Sequence, residues 1–254
     1  MKMHRGLGVS MVAATVAAFA VGLAPIGAAH ADPAGDGVLA RVDAAMNKAK
    51  TLSFEYEIVN KEPGKDERTM GMKVQLKGEK RLSEFSSPAD MKGTKVLILS
   101  PTQMYVYLPA FGKVRRIASH TKDQGFLGLA FSQDDMATTA YGAQYGASVA
   151  SESPAEWKLV LTPKAGQEAP YAKIEVTVAK DHNVPSELKY FNAEGKNVKT
   201  EVRTGYSCEG DVCTPGELKM TDNTKGNWTK LIAKSRKVNV EISDDLFSQR
   251  SLGE

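Results

Sequence analysis

Hydrophobic residues along this chain recur first at helical and then at strand spacing. From Asp36 to about Lys50, the residues Val38, Val42, Ala45, Met46 and Ala49 fall on one stripe, and Asp36 can cap its start. This predicts a single amphipathic helix. From Leu52 onward the period is two: Phe54, Tyr56 and Ile58 alternate with Ser53, Glu55 and Glu57, and Met70, Met72, Val74 and Leu76 with Gly71, Lys73, Gln75 and Lys77. Each run reads as a half-buried strand. The same reading applies to Trp157–Leu161, Ile174–Val178, Leu188 with Tyr190, Val198 with Val202, Leu218 with Met220, and Val238–Ile242. Adding Arg81–Phe85, Lys95–Leu99, Met104–Leu108 and Thr229–Ala233 gives about a dozen strands, a large antiparallel meander.

Turn-forming residues separate these runs at Glu62–Lys65, Lys77–Lys80, Ser100–Thr102, Asp181–Asn183, Asn192–Lys196 and Asp222–Gly226. Loops this short make sequence neighbours sheet neighbours. One stretch, Ser119 to Tyr145, breaks the alternation. A polar lead-in gives way to the apolar run Phe126–Phe131, and then to Ser132-Gln133-Asp134-Asp135, where Ser132 can cap a helix with acids in its first turn. An irregular insertion of this length in a compact β protein is usually functional, and its apolar side chains need the concave face of the sheet as cover.

The N-terminus alters the length to be folded. Lys2 and Arg5 precede an almost uncharged run from Gly6 to Ala29, and Ala29-His30-Ala31 fits the small-x-small cleavage rule. The run is long enough to span a membrane, but its Gly, Ala and Pro content and the cleavage triplet favour removal before Asp32. Residues 1–31 are therefore expected to be an export signal, and 32–254 one domain with no lipid-modified cysteine at its start. Removal takes two of the 33 basic residues and none of the 30 acidic ones, leaving a net charge of about +1. That balance gives nucleic acid nothing to bind.

The two cysteines, Cys208 and Cys213, are separated by EGDV. After export this spacing favours a short disulfide tying a hairpin; a free redox pair is the alternative, without the CxxC spacing or βαβ setting it calls for. Beyond residue 31 only His120 and His182 remain, which cannot form a three-histidine metal site. No nucleophile elbow, phosphate loop, dinucleotide fingerprint, HExxH helix or calcium loop occurs. Asp134 and Asp135 are adjacent, which suits a helix start better than paired acid and base chemistry. The expectation is a non-enzymatic protein without cofactor or metal.

The stretch YVYLPAFGKVRRIASHTKDQGFLGLAFSQDD resembles the LolA-like superfamily of periplasmic outer-membrane lipoprotein-sorting proteins. Tyr107 and Pro109 end a strand, Arg115-Arg116-Ile117 follow, and Phe126, Gly128, Phe131, Ser132, Asp134 and Asp135 complete the pattern. The ending, with Thr229-Lys230 and then VNVEISDDLFSQRSL, is similar as well. One departure stands out: Gly128-Leu129-Ala130 occupies a place where many relatives carry an acidic residue.

The resemblance implies a mainly β fold (α+β by its helices): an open, curved antiparallel sheet, or incomplete β-barrel, with an N-terminal amphipathic helix and a lid segment. It also implies a monomeric periplasmic carrier of lipid or lipoprotein acyl chains, working between an inner-membrane exporter and an outer-membrane acceptor. A sensor or adaptor binding a membrane-protein partner on the same scaffold is the second reading. Candidate ligand-facing residues are Leu97, Leu99, Tyr105 and Tyr107 on the strands, and Phe126, Leu127, Leu129 and Phe131 on the lid; filling an ordinary β core is the alternative for each. Gly125 and Gly128 are candidate hinges, with plain turn geometry as the alternative. Of Arg115 and Arg116, one should face the lid and latch its carbonyls or Asp135, unless both are solvated edge charges.

Overall fold

The computed structural model describes residues 1, 32–117 and 127–253. The expected leader, apart from Met1, lies outside the described residues, as do His120, Gly125 and Phe126. Helix α1 (Pro33–Met46) is followed by β1 (Thr51–Lys61), β2 (Arg68–Lys77), β3 (Lys80–Ser87), β4 (Lys95–Ser100), β5 (Gln103–Leu108) and β6 (Lys113–Arg116). A short helix α2 (Gln133–Ala137) leads to β7 (Tyr145–Glu152), β8 (Glu156–Pro163), β9 (Lys173–Ala179), β10 (Val184–Phe191) and β11 (Asn197–Thr204). The small hairpin β12 (Ser207–Glu209) and β13 (Val212–Thr214), then β14 (Glu217–Asp222), β15 (Asn227–Val238) and α3 (Gln249–Leu252), complete the chain.

Thirteen strands form one antiparallel sheet in the order β6-β5-β4-β3-β2-β1-β15-β14-β11-β10-β9-β8-β7, which makes β6 and β7 its two edges. The sheet is strongly curved and not closed. Register shifts at Glu55/Tyr56, Gly71/Met72, Ile98/Ser100, Val149/Ser151, Pro185/Glu187 and Tyr190/Phe191 supply the local bends that curl it. All six predicted turns fall between paired strands. β6 and β7 are consecutive in sequence but lie on opposite rims, and the described part of the segment between them, 127–144, lies over the open side of the trough. The topology thus places the irregular insertion where a lid would lie.

The helix starts earlier than its apolar stripe predicts. Asp32 rather than Asp36 is the cap, accepting from the Gly35 amide at 2.6 Å, and Pro33 opens the first turn. Asp36 instead accepts the Ala147 amide at 2.8 Å, and Asp43 accepts those of Tyr141 and Gly142 at 2.9 and 2.8 Å. These carboxylates tie α1 to β7 and to the end of the lid. Gly35 makes the approach possible, since a Cβ there would sit 2.3 Å from the Ala147 carbonyl oxygen. Val38, Leu39 and Val42 pack on Ala147, Leu159, Leu161, Val176, Val178 and Leu188, so α1 fills the β7–β10 half of the trough.

Three strand readings change. Thr229–Ala233 and Val238 belong to one 12-residue strand, β15, and the chain just beyond it, through Ser243, is not part of the large sheet. Val240, Ile242, Phe247 and Leu252 then cover the outer face of β3–β5. Finally, β11 points Lys199, Glu201 and Arg203 into the trough, opposite Asp222, Met220 and Leu218, while Val202 is 37% exposed.

Candidate functional site

The half of the trough that α1 leaves unfilled contains a cavity of about 240 Å³. Alternation along paired strands builds its wall: Leu52, Phe54 and Tyr56 from β1, Met72, Val74 and Leu76 from β2, Arg81, Ser83 and Phe85 from β3, and Val96 and Ile98 from β4. Leu231, Leu218, Arg203 and Glu201 continue it across β15, β14 and β11. Leu129, Phe131, Asp135, Met136 and Tyr141 roof it. The β12–β13 hairpin stands at its margin through Cys213 and Thr214, and Cys208 and Cys213, directly opposite one another, form the expected disulfide.

Backbone and side-chain polar groups seat the roof. The Gly128 carbonyl accepts from Asn60 at 3.2 Å, and the Ala130 amide donates to Thr229 at 2.8 Å, whose hydroxyl donates in turn to Asn60 at 2.6 Å. Ser132 caps α2 in a reciprocal box, its hydroxyl accepting from the Asp135 amide and its own amide donating to the Asp135 carboxylate. Asp135 also accepts from Tyr171 Oη at 2.6 Å and from Lys199 Nζ at 2.5 Å, a pair whose side chains are 8% and 3% exposed. Burial, and then the neighbouring Asp135 carboxylate, push the Tyr171 hydroxyl far up, so it remains a neutral donor. Last, Arg81 donates to the Met136 carbonyl. These contacts hold both the start and the end of the described lid.

A second ion pair lies deeper. Arg203 bonds the Glu201 carboxylate, which also accepts from Tyr190 Oη at 2.8 Å. Burial works against the charged guanidinium, but Glu201 outweighs it and keeps Arg203 well above its ordinary range.

Leu129 and Phe131 line the cavity, and Leu127 packs behind them in a cluster with Ile58, Met70 and Phe85. Leu127 and Gly128 both have positive φ, 54° and 79°, an uncommon conformation for a leucine. The four strand candidates do not line the cavity. Leu97, Leu99, Tyr105 and Tyr107 lie on the other face of β4 and β5, packed beneath Ile242, Phe247 and Leu252. Period-two spacing shows which residues share a face, but Val96-Leu97-Ile98-Leu99 is apolar on both faces and cannot show which face is inner. The latch residues also differ. Arg116 donates to the Thr102 carbonyl at 3.0 Å and Arg115 stands over the Phe111 ring, whereas Asp135 is held by Ser132, Tyr171 and Lys199.

Arg81, Tyr171, Lys199 and Glu201 were not singled out by sequence. A signal existed for Arg81, which shares strand parity with Phe85. For Lys199-Thr-Glu-Val-Arg203 the alternation was visible, but the flanking valines favoured the opposite face. Among the described residues one group has metal-ligand proximity, His182 with Cys208 and Cys213, and there the two sulfurs are bonded to each other instead.

Several known structures share this architecture. A DUF1329 family protein from Desulfovibrio piger superposes with a TM-score of 0.80 at 24% identity, over 86% of this chain and 98% of the other. An outer membrane lipoprotein-sorting protein domain from Vibrio parahaemolyticus gives 0.78 at 22% identity, over 87% and 99%. A LolA superfamily protein from Nitrosomonas europaea gives 0.69 at 17% identity, over 85% and 98%. No curated protein matches the chain. A family model described as "Uncharacterized protein" matches residues 77–254. The chain belongs to that family, and its fold is the LolA-like fold of outer-membrane lipoprotein-sorting proteins.

Proposed function

We propose that this protein is a periplasmic carrier that shelters an acyl chain in the cavity between β1–β4 and the lid and passes it between membranes. In this reading residues 1–31 direct export and are removed, and 32–254 act as one domain. The observation that carries the reading is the hollow itself: an apolar wall roofed by Leu129 and Phe131, in a sheet whose other half is solidly packed. Among the described residues no helix is long and apolar enough to cross a membrane.

The physical task fits the geometry. At about 0.8 kcal/mol per methylene, a 16-carbon tail in water costs on the order of 12 kcal/mol, and a carrier must hide all of it. It must also let go, so the hollow should match a bilayer rather than surpass it. Polar pins at the lid serve release better than a sealed apolar core, because each can be exchanged for water when the lid lifts. At about 240 Å³ the cavity lies below the roughly 300–1,000 Å³ of sites for drug-sized ligands, so cargo with several chains needs more room than it offers as it stands.

Two measurements test this. Protein purified gently from the periplasm should yield a reproducible lipid on organic extraction, and should take up the uncharged fluorophore N-phenyl-1-naphthylamine with a rise in emission that Phe131→Glu reduces at least tenfold. An empty protein that takes up no fluorophore would sink the carrier role. N-terminal sequencing of the exported chain should begin at Asp32; a start at Met1 would overturn the export reading.

A further inference from the structure

We infer that the cavity is built for an amphiphile with an anionic head, whose carboxylate or phosphate is met by Arg81. This rests on the carrier reading and narrows the class of cargo. Among the described residues, the side chains lining the cavity, together with the Lys199 bound to one of them, hold five charges: Arg81, Asp135, Lys199, Glu201 and Arg203. Four cancel in pairs, Lys199 with Asp135 and Arg203 with Glu201. Arg81 is the odd one. Among the described residues no carboxylate pairs with it, and its one hydrogen bond goes to a neutral acceptor, the Met136 carbonyl.

A guanidinium has five N–H donors in a planar fork that matches carboxylate and phosphate oxygens two at a time. One donor of Arg81 is used on the lid; the half-buried side chain lines the hollow, and among the described residues it forms no second hydrogen bond. Its surroundings offer no substitute counterion. Tyr56 shares the cavity, but burial drives its hydroxyl far above its ordinary range, so it stays neutral at physiological pH. Burial also pulls the Arg81 guanidinium down, and Arg203, a like charge, adds to that pull. An uncompensated cation in an apolar hollow is costly, and an incoming anion would remove that cost. For an empty pocket meant only for neutral chains, a leucine on β3 would serve better.

The geometry also links loading to the lid. An anion taking the free Nε–Nη2 edge of the fork would share the guanidinium with the Met136 carbonyl, so the head and one pin of the roof would meet at the same side chain.

The test uses the exported chain loaded with N-phenyl-1-naphthylamine and displaced by three 16-carbon ligands: palmitate, hexadecyl phosphate and hexadecanol. At least one of the two anions should displace the fluorophore at about ten- to a hundredfold lower concentration than hexadecanol, the span expected of a hydrogen bond to a charged group. Whichever anion is tighter identifies carboxylate or phosphate as the preferred head. Arg81→Gln should bring all three ligands to within about threefold of one another, while Arg116→Gln, on the outer face, keeps the wild-type order. Equal displacement by all three in the wild-type chain overturns the proposal without need of any variant, as does an Arg81→Gln chain that keeps the anion preference. Either result leaves the carrier reading standing. Failure of the wild-type chain to bind the fluorophore, by contrast, sinks the carrier reading and this one together.

Discussion

The two halves of the trough are made from the same kind of strand yet are filled in opposite ways. On the β7–β10 side, α1 inserts Val38, Leu39 and Val42 into a continuous apolar cluster; on the β1–β4 side the cover is a short lid, and a cavity remains. The difference lies in what each cover can bring. A four-turn helix lays a full apolar stripe on the sheet, whereas α2 has five residues, starts with two acids and hangs largely on hydrogen bonds. A packed plug and a pinned flap therefore sit side by side on one sheet, and the binding proposed above uses the flap.

The largest effect should come where the flap is tied to the filled half. Asp135→Asn leaves Lys199 buried without its counter-charge and should cost about 3–5 kcal/mol in urea unfolding, with faster amide exchange over the described lid. A loss under about 1 kcal/mol would show that this pair does not hold the lid. Next come matched truncations. Leu161→Ala in the filled half should cost about 2–5 kcal/mol, since it opens a void in close packing, whereas Ile98→Ala only enlarges an existing one and should cost about 1–2 kcal/mol while raising fluorophore uptake. Equal costs would mean the hollow closes up in solution.

Smaller effects sharpen the outline. Cys208→Ser opens a loop of a few residues at the margin of the cavity and should cost about 2 kcal/mol, read as a lower urea midpoint under oxidising conditions. The smallest is electrostatic. Burial pushes the Asp222 carboxyl up, but its bonds from the Thr224 hydroxyl and the Thr224 and Lys225 amides prevail and hold it below its ordinary value. Its folded form is thus favoured above the unfolded pKa of about 4, and the benefit is lost as pH falls through the lower folded value. Asp222→Asn should flatten this part of the acid limb of a stability profile, by less than about 1 kcal/mol.

Much of this was legible in the chain, and the rest has a definite cause. The turns, α1 and the Ser132–Asp135 cap are local patterns, set by residues within a few positions of one another. Long-range facts were not legible. The sidedness of β4 depends on Ile242, Phe247 and Leu252 covering its outer face from the far end of the chain, and the inward turn of Lys199 depends on Asp135, 64 residues away. The Arg81 bond to Met136 spans 55 residues between a strand and a lid with no shared periodicity. Pairing across the sheet, not local preference, decided each of these.

One feature of the strand order bears on how the protein comes into being. Hairpins β1–β6 and β7–β11 can each zip from short turns, but β1 must find β15, joining Leu52 to Val238, before the two meanders become one surface. Contacts so distant in sequence are slow to form and leave strand edges bare in the meantime. The hollow therefore exists only once that seam has closed, and a chain caught short of it has two half-walls and no cavity between them.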